Sequence, residues 1–158
     1  MAGRIQAEIR QNKPVGSVEE EVYLNLQRTA NALSQPLAEL LRGHDLTPAQ
    51  YNVLRILRGA GDDGLTASDI GGRMISRDPD ITRLVDRLEK RGLVERRRCS
   101  QDRRVVWTRI SDGGRALIDP LDSSMDEMHR AMLAHMPPER MRMLVELLEE
   151  ARDGAPAA

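Results

Sequence analysis

The change of period at Gly92 limits this chain more than any other feature of its sequence. Before it, Ile81, Leu84, Val85 and Leu88 recur at the i, i+3, i+4, i+7 spacing of a helix with one apolar face. After it, Leu93 to Arg98 and Val105 to Ile110 alternate apolar and polar residues, the pattern of two short strands. Cys99-Ser100-Gln101-Asp102-Arg103-Arg104 between them makes a hairpin with a charged tip. Gly92 stops the helix, and Lys90 and Arg91 put cations at its negative end. The chain is therefore expected to be mainly α with a small β-hairpin.

The residues upstream extend this into a recognisable unit. Thr66 with Asp69 opens a short helix through Met74, and Ile75-Ser76-Arg77 makes a turn. Asp78 precedes Pro79, so Asp78 is pushed out of helical geometry and suits the cap of the next helix, with Pro79 first inside. Two short helices, a turn and a hairpin make a winged helix-turn-helix. Ahead of it, Thr47-Pro48-Ala49-Gln50 starts a helix through Tyr51, Leu54 and Leu57 that breaks at Gly59–Gly64.

Long helices flank this head on both sides. Ser17 with Glu20 reads as a capping box, followed by the stripe Val22, Leu26, Ala30, Leu33, Leu37 and Leu41, with Pro36 expected to bend it. Ser111 caps a second long helix marked by Leu117, Leu121, Met125, Met128, Met132 and Met136, expected to kink at Pro120. A last helix follows Pro137-Pro138, with Met141, Leu144, Leu148 and Ala151 on one face. A stripe that long is not easily buried within one small compact molecule, and a partner helix is its natural cover. The expected division is a polar N-terminal arm (1–16), a dimerisation helix (17–45), a winged helix-turn-helix DNA-binding region (46–110), C-terminal dimerisation helices (111–152) and a disordered tail (153–158).

Charge singles out the same segment. Between Arg73 and Arg109 twelve basic residues face six acidic ones, a net +6 in a chain whose total is −1, leaving −7 for the remainder. That asymmetry is the footprint of a surface that meets phosphate. With Ile81, Leu84, Val85 and Leu88 buried, helical geometry turns Thr82, Arg83, Asp86, Arg87 and Lys90 outward. Arg83 or Arg87 is placed to read guanine, and Asp86 to orient an arginine. Ser76 and Arg77 in the turn, and Thr66 at the preceding helix start, are candidate phosphate contacts. Arg96, Arg97 and Arg98 alternate across a strand, so only some of them, Arg97 included, can reach the DNA backbone.

Other chemistries find little support. The three histidines, His44, His129 and His135, do not form a metal-ligand pattern, and no phosphate loop or catalytic constellation is present in the sequence, so no enzyme, metal or cofactor is expected. Cys99 stands alone; its neighbours Arg97, Arg98 and Arg103 would favour its thiolate, which leaves an oxidant-responsive role as an alternative. A winged-helix protein-interaction module is the other. Aromatics are 2% of the chain, with no Phe, so the interior is aliphatic. Without an apolar run of membrane-span length or a secretory h-region, the expectation is a cytoplasmic, nucleoid-associated protein with no membrane partner.

Three stretches, Leu46 to Leu54 (LTPAQYNVL), Asp80 to Arg96 (DITRLVDRLEKRGLVER) and Asp102 to Val106 (DRRVV), resemble the MarR family of bacterial transcriptional regulators, in order and spacing. The resemblance covers about residues 18–150. It implies a homodimer whose two heads bind adjacent major grooves of a pseudo-palindromic operator in double-stranded DNA, commonly as a repressor released by a small aromatic or anionic effector. It implies that Arg104 enters the minor groove, that Asp102 holds an arginine or the wing turn, and that Arg103 meets phosphate. Any effector pocket would lie between scaffold helices and head, with His44, Tyr51, Met74 and Trp107 as candidates. The chain departs from its relatives in having only Lys13 and Lys90 as lysines, and in placing Cys99-Ser100 where many carry Ser-Pro.

Overall fold

The structure is a computed structural model and describes residues 4–76, 80–102 and 104–154. Its elements are α1 (Arg4–Glu8), α2 (Val18–Arg42), α3 (Pro48–Ala60), α4 (Ala67–Arg73), α5 (Ile81–Lys90), β1 (Val94–Arg98), β2 (Val106–Ile110), α6 (Asp112–Ile118), α7 (Leu121–Leu133) and α8 (Pro138–Asp153). The chain forms two compact units, Met1–Asp122 and Ser123–Ala158, with the boundary along the chain after the second residue of α7. Among the described residues, no helix is long and apolar enough to cross a membrane.

Helix starts follow local side-chain chemistry. Thr47 with Gln50 and Thr66 with Asp69 form complete capping boxes, satisfying two of the donors that a helix N-terminus otherwise leaves open. Ser17 accepts the Glu20 N–H at 3.1 Å, but the Glu20 carboxylate takes the N–H of Gly16 at 2.8 Å instead of that of Ser17. The expected box is thus only half formed, because Glu20 answers a donor one residue further out. At α5 the cap is Asp80 rather than Asp78: its carboxylate accepts the N–H of Arg83 at 3.0 Å, and the helix begins at Ile81. The Asp78-Pro79 pair thus pointed to a cap two residues too early, because the helix starts at Ile81 and its third N–H is within reach of Asp80. Asp78 and Pro79 lie outside the described residues.

Prolines act more sharply than expected at one site. The expected long kinked helix after Ser111 is two helices, α6 and α7, parted at Asp119-Pro120. Proline has no N–H to offer the carbonyl of Ala116, and its ring crowds that carbonyl. Pro36, by contrast, lies inside α2, which continues to Arg42. The N-terminal arm also holds more structure than its polarity suggests. Its Arg4–Glu8 helix buries Ile5 (1% exposed) and packs on α2, where Glu8 lies 3.8 Å from Arg28. One apolar side chain suffices to dock it.

The core of the first unit is built around α3. Val53, Leu54 and Leu57 are fully buried, and α3 packs on α2, α4, α5, α6 and β2. Leu41, Ile70, Leu84, Val85, Leu88, Val94, Ile110 and Ile118 join this interior, which is aliphatic but for the ring of Tyr51. The hairpin pairs Val94 with Ile110 through Arg98 with Val106. Leu65 joins its outer edge, exchanging two backbone hydrogen bonds of 2.8 Å with Thr108. Gly64 permits this: its φ of +76° lies in the left-handed region that side chains avoid, and a Cβ would stand 2.6 Å from the Thr108 carbonyl oxygen.

The base of the hairpin is closed by Ser111 and Gly114. The Ser111 hydroxyl donates to the Gly92 carbonyl at 2.6 Å and accepts the Gly114 N–H at 3.0 Å. A Cβ at Gly114 would lie 2.2 Å from the Leu93 carbonyl oxygen. Nearby, Arg58 of α3 grips Asp119 (2.8 Å) and, with both terminal nitrogens, Asp122 (2.9 and 3.0 Å) at the start of α7. These bonds hold the Asp122 carboxyl below its ordinary range and raise the Arg58 guanidinium.

Two apolar faces remain uncovered, one in each unit. On α2 the stripe is buried only at Leu41, while Val18, Val22, Tyr23, Leu26 and Leu33 are exposed. In the second unit Met143, Leu144, Val145 and Leu147 of α8 are exposed. Gly114→Ala is expected to destabilise the protein by about 2–3 kcal/mol, since a backbone carbonyl and not a flexible side chain is in the way. The measurement is a lowered urea midpoint with an unchanged m-value.

Candidate nucleic-acid interface

The face of α5 away from the core is polar and open. Leu84, Val85 and Leu88 are buried and Ile81 is half-buried, while Thr82, Arg83, Arg87 and Lys90 are exposed. Arg83 leans back onto its own helix cap, 3.2 Å from Asp80, in a pair open enough to solvent to be exchanged for another anion at little cost. Ser76 is exposed in the turn before α5. Ile75 in the same turn is held by its N–H, which donates to the Asn52 side chain of α3 at 3.0 Å. Arg77 and Arg103 lie outside the described residues.

The wing presents the other half of the surface. Arg104 is exposed, and its backbone N–H donates to the Asp102 carboxylate at 2.9 Å. Asp102 therefore holds the wing turn, one of the two roles the resemblance implies for it. Arg97 is exposed on β1 opposite Trp107. A cleft of about 420 Å³ brings the wing and the helices together, lined among others by Thr66, Thr82, Val85, Arg96, Arg104 and Val106. Sequence-named residues from α4's cap, α5 and the wing thus share one concave surface. Thr66 enters it as a cap: its hydroxyl donates to Asp69 at 2.6 Å and accepts the Asp69 N–H at 3.2 Å, which holds the Asp69 carboxyl below its ordinary range.

The strand arginines divide their work. Arg96 turns to α5, 2.7 Å from Asp86, and bonds Glu89 through Nε at 2.9 Å and through Nη2. Asp86 therefore does orient an arginine, but one from the wing. Arg109 pairs across the hairpin with Glu95 at 2.7 Å. Arg91 donates to the Asp45 carbonyl, tying the end of α5 to the turn before α3. Sequence reasoning missed the Arg96 clamp, though Asp86 and Glu89, three apart on one helical face, signal a shared cation.

The remaining candidates are dispersed. Tyr51 is buried on α3 with the Arg55 guanidinium 5.9 Å from its ring centre. His44 is exposed beyond α2, Met74 half-buried at the end of α4, and Trp107 half-buried on β2 beside a second, smaller cleft of about 210 Å³. Of these four, only Trp107 lines either cleft. Among the described residues no three His, Cys, Asp or Glu side chains gather as a metal site. The Cys99 thiol is held below its ordinary value by the backbone N–H groups of Asp102 and Gln101, and not by the neighbouring arginines that the sequence suggested.

Comparison with known proteins agrees with this geometry. Residues 46–106 match the MarR family. The crystal structure of a MarR transcription factor from Planctomyces limnophilus is 36% identical, with 84% of this chain and 96% of that one covered and a TM-score of 0.67. The HTH-type transcriptional regulator FarR of Neisseria gonorrhoeae is 28% identical over 87% of this chain and 92% of its own. The PcaV transcriptional regulator of Streptomyces coelicolor, solved in complex with its natural ligand, is 27% identical over 81% and 92%, with a TM-score of 0.68. The chain belongs to the MarR family: it is a winged helix-turn-helix protein of a family of transcriptional regulators, not of enzymes.

Removing the Asp102 side chain should loosen the wing tip without unfolding the head. In Asp102→Ala the Arg104 amide is expected to exchange with solvent at least about tenfold faster, while amides of α3 keep their protection, as read by hydrogen-exchange NMR.

Proposed function

We propose that this protein is a homodimeric, sequence-specific DNA-binding repressor of neighbouring genes, acting in the cytoplasm on the nucleoid and released by a small aromatic or anionic effector. One observation carries the DNA-binding part. Thr82, Arg83, Arg87 and Lys90 stand on the open face of a helix whose other face is core, beside an exposed Arg104 whose backbone N–H is held by Asp102. In that reading α5 enters the major groove, Arg83 or Arg87 meets guanine, and Arg104 enters a narrow minor groove where negative potential is concentrated. Ser76, Arg77, Thr66, Arg97 and Arg103 supply backbone contacts, which position without specifying.

The uncovered apolar faces of α2 and α8 support the dimer. A second copy is the occupant that offers the same stripe in return, and exposed Val22, Leu26 and Leu33 are spaced to meet another helix. The PcaV complex with its natural ligand supports an effector. Such a molecule acts only through a difference in affinity between DNA-competent and other arrangements of the two heads.

The test is a mobility shift on the duplex upstream of the protein's own gene. Arg104→Ala is expected to weaken binding by about 1–3 kcal/mol with the dimer intact, and affinity should fall with salt at a log–log slope of about −0.9 per phosphate contacted. A flat salt response would favour the protein-interaction module. Leu26→Glu should convert the sedimenting dimer to monomer and abolish the shift; a monomeric wild type refutes the dimer. Transcription from the same region, with and without the protein, decides repression.

A further inference from the structure

We infer that Arg96 is a positioning residue of this interface: a strut between the reading helix and the wing that acts on DNA through the placement of Thr82 and Arg104, not by touching DNA. The inference rests on the DNA-binding reading above. Arg96 leaves β1 two residues after buried Val94, opposite Thr108, and its guanidinium crosses to α5. There it reaches Asp86 through Nη1 at 2.7 Å and Glu89 through Nε at 2.9 Å and Nη2. A planar guanidinium with donors on three nitrogens, held by two carboxylates, fixes direction as well as distance; a lysine ammonium fixes neither.

The strut stands where the two halves of the reading surface meet. Arg96 lines the cleft that Thr82 and Arg104 share, and it also lines the smaller cleft beside Trp107. The hairpin register sets Arg96 opposite Thr108, which lines the same cleft four residues from Arg104. Its donors are already engaged by protein, which leaves it poorly placed to bond phosphate. The same contact resolves an electrostatic conflict on α5, since Asp86 and Glu89 would otherwise set two bare carboxylates beside Arg83, Arg87 and Lys90. The Glu89 carboxyl is held below its ordinary range by this arginine.

Stability and placement separate here. All three side chains are partly solvated, at 30%, 41% and 38% exposure, and pairs of that kind add little to folding. The decisive variant is Asp86→Asn/Glu89→Gln, which makes the reading face more positive by two charges. If Arg96 and its carboxylates matter only as charges, this protein binds every duplex more tightly. If they form a strut, affinity for the upstream duplex falls by about tenfold or more, while affinity for mixed-sequence genomic DNA holds or rises. Arg96→Met should show the same selective loss, and Arg96→Lys, which keeps the charge, should not restore it. Thermal melting by circular dichroism is expected to stay within a few degrees of wild type for Arg96→Lys and the double variant. Tighter binding of the double variant to both duplexes, or wild-type selectivity in Arg96→Lys, overturns the strut. A wild type with no preference for any duplex overturns instead the DNA-binding reading on which the strut depends.

Discussion

The shape of the concave surface between α5 and the wing depends on how closely the base of the hairpin can approach the first turn of α6. That approach is a backbone affair. The Ser111 hydroxyl bridges the Gly92 carbonyl and the Gly114 N–H, and the Leu93 carbonyl occupies the space where any side chain at 114 would begin. Gly64 makes a second such concession on the outer edge, letting Leu65 pair with Thr108. With both edges fixed, five register pairs leave the wing no freedom to slide, because a slip by one residue would turn Val94 and Ile110 out of the core. The polar tip inherits its position from these buried contacts.

From that base the polar chemistry is arranged in tiers. Aliphatic packing under α5 sets the helix, and the Asp80 cap sets its first turn. Arg96 then ties the helix to the strand, and Asp102 ties the tip to itself. Acidic residues inside a strongly basic segment look wasteful if one counts charge alone. Asp80, Asp86, Glu89, Glu95 and Asp102 each hold an arginine side chain or a backbone N–H of this segment. They shape the basic surface more than they dilute it.

Much of this was legible in the sequence because it is local. Thr47 and Gln50, Thr66 and Asp69, and Gly92 announce helix ends through contacts spanning three or four residues, and the apolar spacing of Leu84, Val85 and Leu88 names the buried face. The exact start was harder to place: the Asp78-Pro79 pair pointed two residues ahead of the true cap, Asp80, and Glu20 took a donor one residue beyond the expected one. Contacts between distant segments left fainter marks. Nothing near Leu65 indicates Thr108, and nothing near Arg58 indicates Asp122. Arg96 looked like one of three equivalent strand arginines until α5 was placed beside it.

The aromatic poverty of the chain has an optical consequence. Trp107 is the single tryptophan, and it sits half-buried on β2, paired in register with Arg97. Indole emission excited at the red edge of the absorption band therefore comes from the wing alone, undiluted by signal from the aliphatic interior. The molecule thus carries its own reporter on the wing, so a change in the surroundings of that element can be followed in unlabelled protein.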